Sequence, residues 1–198
     1  MLLRMSVRIA SLLAFAVALS GCASRYDPEA PLIPMGDFRL GHLIVVDEGA
    51  EMLLVSRKAR PGEWKAALTE EVKRQLGRYE GDRFYNIGIK VDGYALAIPG
   101  IPVVAKPQSM LVVTVSVWDD AKRKKLDEPK RLIVTEKLSP ETFIGSGLTQ
   151  NRHRQMRNLS RNMAVAIHKY LLTHPEWFGL PPLPEEKERP AQGGGSDN

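Results

Sequence analysis

The spacing of hydrophobic positions changes several times along this chain, and each change marks a new predicted element. Between residues 64 and 79 apolar side chains recur every three to four positions, which predicts an amphipathic helix. Over residues 85–91 they alternate with polar ones, which predicts a strand with one buried face, and Asp92-Gly93 predicts a bulge or a bend at its end. The alternation returns over residues 110–118, which predicts a second strand of the same kind.

Further apolar segments lie on both sides of this central part. Residues 38–47 and 52–56 predict two short strands compatible with a hairpin, and residues 131–138 predict another strand. A long helical stripe over residues 156–171 follows Thr149, a candidate N-cap, and Trp177-Phe178 could close the edge of the core. The order ββαβββα predicts an α+β fold: a two-layer sandwich with an antiparallel sheet of four to five strands and two helices on one face.

The first residues form a different pattern, which is typical of a signal peptide. Arg4 and Arg8 supply a positive start, and residues 9–19 form an apolar run too short to span a bilayer stably. The run ends at Leu19-Ser20-Gly21-Cys22, which resembles the processing site of bacterial lipoproteins. We therefore expect residues 1–21 to be removed and Cys22 to carry lipid; the alternative is ordinary cleavage that leaves a free thiol.

This assignment divides the chain into four segments. Residues 1–21 are the signal peptide, and residues 22–37, with three prolines, are a lipid-anchored tether. Residues 38–178 form a periplasmic α+β domain, and residues 179–198 are rich in Pro, Glu and Gly and are expected to be disordered. By resemblance to the lipoprotein sorting rule, Ala23 after the cysteine favours the periplasmic face of the outer membrane.

Charge and cysteine content argue against several classes of function. Arg4 and Arg8 account for two units of the formal net charge of +5, which leaves +3 on the mature chain. Such a small excess does not predict a nucleic-acid partner. Cys22 is the only cysteine, so an intramolecular disulfide is excluded and a thiol nucleophile elsewhere is absent.

Two surfaces are candidates for binding. The proline-rich segment from Ile98 to Pro107 predicts an apolar loop, because its prolines exclude a helix or a central strand. Within it, Ile101, Val103 and Val104 are either an exposed partner-binding patch or part of the core.

The second candidate lies on the last helix. Arg154, Arg157 and Arg161 share one flank and could bind the phosphate of a lipid or of lipopolysaccharide, since the guanidinium fork matches phosphate geometry. The simpler interpretation is an ordinary solvated face that pairs with acidic residues elsewhere.

Motifs for catalysis are weak. Gly145-Ser146-Gly147 lacks the features of a nucleotide loop or a nucleophile elbow, and a structural turn explains it. The four histidines are scattered, and Asp119-Asp120 is explained by a strand end that runs into a lysine-rich turn. We expect no enzyme, no metal and no cofactor.

Five sequence blocks carry a resemblance to known proteins: Gly93-Tyr94-Ala95-Leu96-Ala97, Pro99-Gly100-Ile101-Pro102-Val103, Val117-Trp118-Asp119-Asp120, Gly145-Ser146-Gly147-Leu148-Thr149-Gln150 and residues 155–162. They resemble a group of uncharacterised outer-membrane lipoproteins from alphaproteobacteria, and the resemblance covers roughly residues 60–178. The architecture is more loosely similar to small lipoproteins that assist lipopolysaccharide assembly or ABC transport. The resemblance implies a lipoprotein but no activity.

The sequence thus predicts a non-enzymatic lipoprotein, held in the membrane through Cys22, whose domain binds a protein partner in envelope assembly or transport. A module that binds anionic lipid or lipopolysaccharide is the alternative. A hydrolase of unknown type ranks third.

Overall fold

The computed structural model describes residues 31–53, 56–98, 109–135 and 152–183. From Leu32 onward they belong to one compact unit. Cys22, the predicted signal peptide, most of the predicted tether and residues 184–198 of the tail lie outside the described residues.

Six strands and two α-helices make up the unit. The strands are β1 (Arg39–Val46), β2 (Glu51–Met52), β3 (Phe84–Ala95), β4 (Met110–Asp119), β5 (Lys124–Lys125) and β6 (Lys130–Thr135). The helices are α1 (Glu63–Leu76), between β2 and β3, and α2 (Arg152–Leu172), after β6; a 3₁₀ helix (Pro175–Phe178) follows α2. The α+β sandwich is confirmed, with β5 as a two-residue addition inside the predicted charged turn.

The sheet is mixed, which corrects the expectation of a wholly antiparallel one. β3 and β4 are antiparallel, and β4 pairs antiparallel with β5 and β6. β1 and β2, however, both pair parallel to β3, one after the other along the same edge. The predicted hairpin is therefore wrong.

The parallel pairing follows from the helix between these strands. A two-residue turn reverses the chain, whereas a helical crossover brings the next strand back in the same direction. Residues 63–76 of α1 provide that crossover between β1 and β3. The sequence pattern located the strands and the helix correctly, but the short gap between β1 and β2 favoured the hairpin that does not form.

Both helices cover one face of the sheet and run in the same direction. Glu63 at the start of α1 contacts Arg152 at the start of α2, and Gln75 near the end of α1 contacts His168 near the end of α2. The alternating inward residues of β3 and β4 meet the helices in a single core, as predicted. The largest fully buried side chains of this core include Trp64, Leu68, Leu76, Tyr85, Ile87, Ile89, Leu111, Leu159 and Met163.

Of the bulge or bend predicted at Asp92-Gly93, the structure shows a bulge. The pairing of β3 with β4 shifts register between Val91 and Gly93. Val91 faces the helices before the shift, and Tyr94 faces them after it. The extra residue moves the in-and-out alternation of side chains by one position.

Parallel helices give the sandwich two different ends. We call the end where α1 and α2 finish the entry end, because Ile33 and Met35 join the fold there: the carbonyl of Ile33 accepts a hydrogen bond from Tyr79, and Met35 is buried. We call the opposite end, where both helices begin, the far end. Its residues include Arg57, Glu63, Arg152 and Gln155.

Candidate functional site

The far end is held together by polar side chains. Gln155, which is buried in the first turn of α2, accepts a hydrogen bond from the Arg57 guanidinium and donates one to the carbonyl of Ala97 at 3.4 Å. Leu96, beside Ala97, donates its backbone N–H to the Ser56 hydroxyl. The start of α2 is thereby attached both to the segment before α1 and to the end of β3.

An ion pair joins the first turns of the two helices. Arg152 contacts Glu63 at 2.6 Å and donates a second hydrogen bond to the carbonyl of Lys58. Glu63 also accepts the backbone N–H of Arg60, which ties the segment before α1 to its first residue. Both charged side chains are mostly buried, so this pair is less exposed to screening than a surface pair.

The described residues on either side of the predicted apolar loop lie at this far end. Ile101, Val103 and Val104 lie outside the described residues. The residues on either side are described: Ala97 donates its backbone N–H to the hydroxyl of buried Ser109 at 3.2 Å. Their place in an exposed partner-binding patch or in the core stays a prediction.

The three arginines of the predicted anion-binding flank have different environments. Arg154 and Arg157 are exposed on α2. Arg161 is only partly exposed, and its Nε lies 3.6 Å from the carboxylate of Glu71 on α1. The flank therefore presents two exposed guanidinium groups, while the third contacts the neighbouring helix.

Glu71 is a residue whose position the sequence did not indicate. Its side chain is only 2% exposed, and Arg74 and Arg161 both lie beside its Oε2. The Coulomb attraction of Glu71 raises the pKa of Arg74. In the sequence Glu71 is one of several acids on the polar side of α1, and only the packing of α2 against that side buries it.

His168 at the entry end belongs to a hydrogen-bonded chain that the sequence also did not reveal. Its Nδ1 lies 2.9 Å from the Gln75 amide nitrogen and its Nε2 lies 2.7 Å from the Tyr79 hydroxyl. The Tyr79 hydroxyl donates its single hydrogen to Ile33, so Nε2 must donate to Tyr79 and Nδ1 must accept from Gln75. The ring is therefore neutral, and burial lowers the pKa of His168.

Asp119 and Asp120 are not brought together as an acid–base pair. Asp119 is buried at the end of β4, where it contacts Arg83 at 2.6 Å and Lys122 at 3.2 Å. Burial raises the pKa of Asp119, but the hydrogen bonds from Lys122 and the charge of Arg83 outweigh it, so the pKa is lowered overall. Asp120 is exposed and accepts a hydrogen bond from Asn86.

The described residues contain neither a cluster of metal ligands nor a helix that could span a membrane. Within the four described ranges, no group of three or more His, Cys, Asp or Glu is arranged to hold a metal ion. In the same ranges, no helix combines the length and the apolar character needed to cross a bilayer.

Comparison with known proteins identifies the fold but not a family. No protein-family model matches the chain, and no curated protein matches it significantly. Among solved structures, the chain is similar to a Xanthomonas campestris protein of the family of unknown function DUF330, with a TM-score of 0.50 and 11% identity over 76% of this chain and 93% of that one.

Two further solved structures have lipoprotein names. One is a presumed lipoprotein from Caulobacter crescentus CB15, with a TM-score of 0.39 and 14% identity over 69% of this chain and 90% of that one. The other is a minor lipoprotein from Acinetobacter baumannii, with a TM-score of 0.34 and 14% identity over 71% and 92%. With its TM-score of 0.50, the likeness to the Xanthomonas protein shows that the two chains share a fold. This likeness assigns no activity to the present chain.

Proposed function

We propose that this chain is a membrane-anchored lipoprotein of the cell envelope, without enzymatic activity, whose periplasmic domain binds a protein partner at its far end. The observation that carries the proposal is the sequence Leu19-Ser20-Gly21-Cys22 after a basic start and an apolar run. Several acyl chains on one cysteine would make the attachment stable. We further propose that the membrane is the outer one, as Ala23 after the cysteine favours.

The geometry of the domain supports the far end as the docking surface. The chain joins the fold at the entry end, and ten residues from Cys22 to Leu32 reach at most about 35 Å. α2 has 21 residues, so the far end lies roughly 30 Å from the entry end. An anchor before the entry end leaves the far end free to point away from the membrane.

The far end also has contacts suited to a binding surface. It combines the partly buried pair of Glu63 and Arg152 with the buried amide of Gln155, so its backbone is held in place by directional bonds. The segment with Ile101 and Val103 starts and ends there. Binding residues often lie on loops held by a rigid scaffold, and the described residues on both sides of this segment are held in that way.

Removal of the anchor tests the attachment. Replacement of Cys22 with Ser should move the protein from the membrane to the soluble periplasmic fraction, since no acyl chain can then be attached. Ser20→Ala, which leaves the cysteine in place, is the matched control and should stay in the membrane. A Cys22→Ser protein that still sediments with the outer membrane would contradict the proposal.

Crosslinking from the far end tests the partner. A photoreactive amino acid at Ile101 or Val103 should give a discrete adduct with one envelope protein in intact cells. The same probe at Leu183, an exposed residue near the entry end, is the control. A correctly localised protein that gives no adduct from either loop position would rule out this docking surface.

A second candidate, a module that binds anionic lipid or lipopolysaccharide, is favoured by the exposure of Arg154 and Arg157 on one flank of α2. It predicts salt-sensitive binding to vesicles with phosphatidylglycerol that weakens when both become Gln. Arg161→Gln, which removes the contact with Glu71, should have a smaller effect on binding. Unchanged binding in the double variant would exclude this candidate.

A further inference from the structure

Two segments without any ionisable side chain meet at the entry end. Residues 31–36 and residues 177–183 contain no Asp, Glu, Lys, Arg or His. The backbone N–H of Asp37 donates to the carbonyl of Phe178 at 2.8 Å, and a Cβ on Gly36 would lie 2.9 Å from the Leu180 side chain. The two segments therefore lie side by side, and we call residues 31–36 and 177–183 together the entry surface.

The entry surface exposes apolar groups and has few backbone donors. Ile33 is 56% exposed and Leu183 is 57% exposed. Exposed prolines stand beside both of them, at positions 34, 181 and 182. Proline has no backbone N–H, so transfer of this surface from water to an apolar phase leaves fewer donors without a partner.

Two amphipathic aromatic residues lie next to these groups. Tyr170, at the end of α2, and Trp177 are both half-buried, and their ring centres are 5.8 Å apart. Tyrosine and tryptophan are enriched at the boundary between membrane and water, because each combines an apolar ring with a polar group. The composition of this end is thus typical of a surface that contacts lipid.

The predicted anchor indicates which lipid would face this surface. The ten residues from Cys22 to Leu32 reach at most about 35 Å, and the chain joins the fold at residues 31–36. No other surface of the described domain lies as close to Cys22 along the chain. A lipid on Cys22 therefore holds the entry surface, rather than a helix flank or the far end, nearest to the membrane.

The charged residues around the entry surface have both signs, so a contact must rest on its apolar groups. The turn after β4, residues 119–124, has three basic and two acidic residues. The slight positive excess of this end does not oppose contact with anionic lipid. The fully exposed charged residues near the helix ends are Lys73, Lys169, Glu80, Asp82 and Glu176. The partly exposed ones are Asp37, Arg39, Arg78 and Arg83.

We propose that the entry surface lies against the phospholipid membrane that holds the anchor, with Ile33 and Leu183 at the level of the lipid headgroups. This inference rests on the proposed lipid on Cys22 and adds an orientation to it, since contact at the entry end directs the far end away from the membrane. The anchor already keeps the domain close to the lipid, so a contact that is weak by itself suffices.

Fluorescence of the full-length lipidated chain in vesicles of phosphatidylethanolamine and phosphatidylglycerol tests the proposal. The environment-sensitive dye NBD is attached to Leu183→Cys, and the acylated Cys22 offers no second thiol. We expect the emission to shift to the blue and to be quenched by a lipid that carries a nitroxide near its headgroup. Glu48→Cys is the matched control, because Glu48 is exposed next to Asp47, which contacts the first turn of α1 at the far end. Its dye should be neither shifted nor quenched.

Ile33→Asp in the Leu183→Cys background separates membrane contact from folding. The Ile33 side chain is largely exposed, so the thermal midpoint should not change, while the new charge should reduce quenching to the level of the Glu48→Cys control. Quenching at Leu183→Cys should persist at about 0.5 M salt, because an apolar contact is not screened. Loss of quenching in salt, or equal quenching in the folded Ile33→Asp variant, would overturn the proposal.

Sedimentation of the same samples with the vesicles distinguishes this proposal from the anchor itself. A chain that sediments but whose dye at Leu183→Cys stays in water would overturn the membrane contact and leave the anchor intact. A chain that does not sediment would overturn both. A blue-shifted dye that the nitroxide lipid does not quench would place protein against the entry surface, which also overturns the proposal.

Discussion

The two ends of the sandwich differ in the proportion of aromatic and polar contacts that stabilise them. At the entry end Phe38 stacks on Tyr85 with ring centres 5.5 Å apart, and the edges of Tyr79 and Phe178 close around it. At the far end one aromatic contact, between Trp64 and Tyr94 with ring centres 5.5 Å apart, is combined with an ion pair and the hydrogen bonds of Gln155. Aromatic packing stabilises a core strongly, whereas each polar contact contributes a small net free energy.

This difference indicates how the two ends divide stability and binding. The entry end attaches the incoming chain to the core: the carbonyl of Phe178 accepts the backbone N–H of Asp37 at 2.8 Å, and a side chain on Gly36 would clash with that carbonyl. Gly36 also has a φ of 70°, which favours glycine. A change at the entry end should therefore mainly affect folding, and a change at the far end should mainly affect partner binding.

Phe178→Ala should have the largest effect on stability. Phe178 is buried among Phe38 and Tyr85, so its removal leaves a cavity and should lower the free energy of unfolding by about 3–5 kcal/mol. Denaturant titration measures this change. A loss below about 1 kcal/mol would show that the entry end is not the stabilising end.

Gln155→Ala tests whether a change at the far end mainly affects partner binding. Loss of the contacts with Arg57 and Ala97 should lower the free energy of unfolding by only about 1–2 kcal/mol. Crosslinking from Val103 to the proposed partner should fall much more than in Phe178→Ala, compared at a temperature where both variants are folded. If the two variants lose crosslinking equally, the proposed division between the ends is wrong.

His168 should make the stability of the entry end depend on pH. Burial lowers the pKa of His168 from its usual value of 6.5, so the folded state binds fewer protons than the unfolded state around that pH. Stability should therefore be constant above about pH 6.5 and fall as the pH is lowered below it. His168→Gln should remove this slope between pH 5 and 7 in chemical denaturation; an unchanged slope would assign it to another group.

Glu70→Gln should have the smallest effect. Glu70 is 60% exposed and pairs with Arg74, which also contacts Glu71 and so keeps a partner after the substitution. An exposed pair of this kind contributes about 0.3 kcal/mol. The variant serves as the reference for the others. A loss above about 1 kcal/mol in the free energy of unfolding would indicate that ion pairs on the helix surface contribute more to stability than an exposed pair is expected to contribute.

The sequence predicted the elements better than their connections. Alternation over residues 85–91 and 110–118 identified the buried faces of β3 and β4, because a one-residue slip would expose every apolar side chain. The direction of β1 could not be predicted in the same way, since its apolar pattern is the same for parallel and antiparallel pairing. Only the crossover through α1 decides it.

The candidate sites were harder to predict because they depend on contacts between distant segments. Helical spacing correctly placed Arg154 and Arg157 on a common exposed flank. The same spacing could not reveal that Arg161 meets Glu71, or that His168 reaches Gln75 and Tyr79, because those partners belong to other elements.

The most direct test of the account is the mass of the N-terminal peptide of the mature protein, isolated from membranes. The account predicts that the peptide begins at Cys22 and carries a diacylglyceryl group on the sulfur, with or without a further acyl chain on the amino group. A mature protein that begins at another residue, or that begins at Cys22 with a free thiol, would contradict the central claim that this domain is held at a membrane through Cys22.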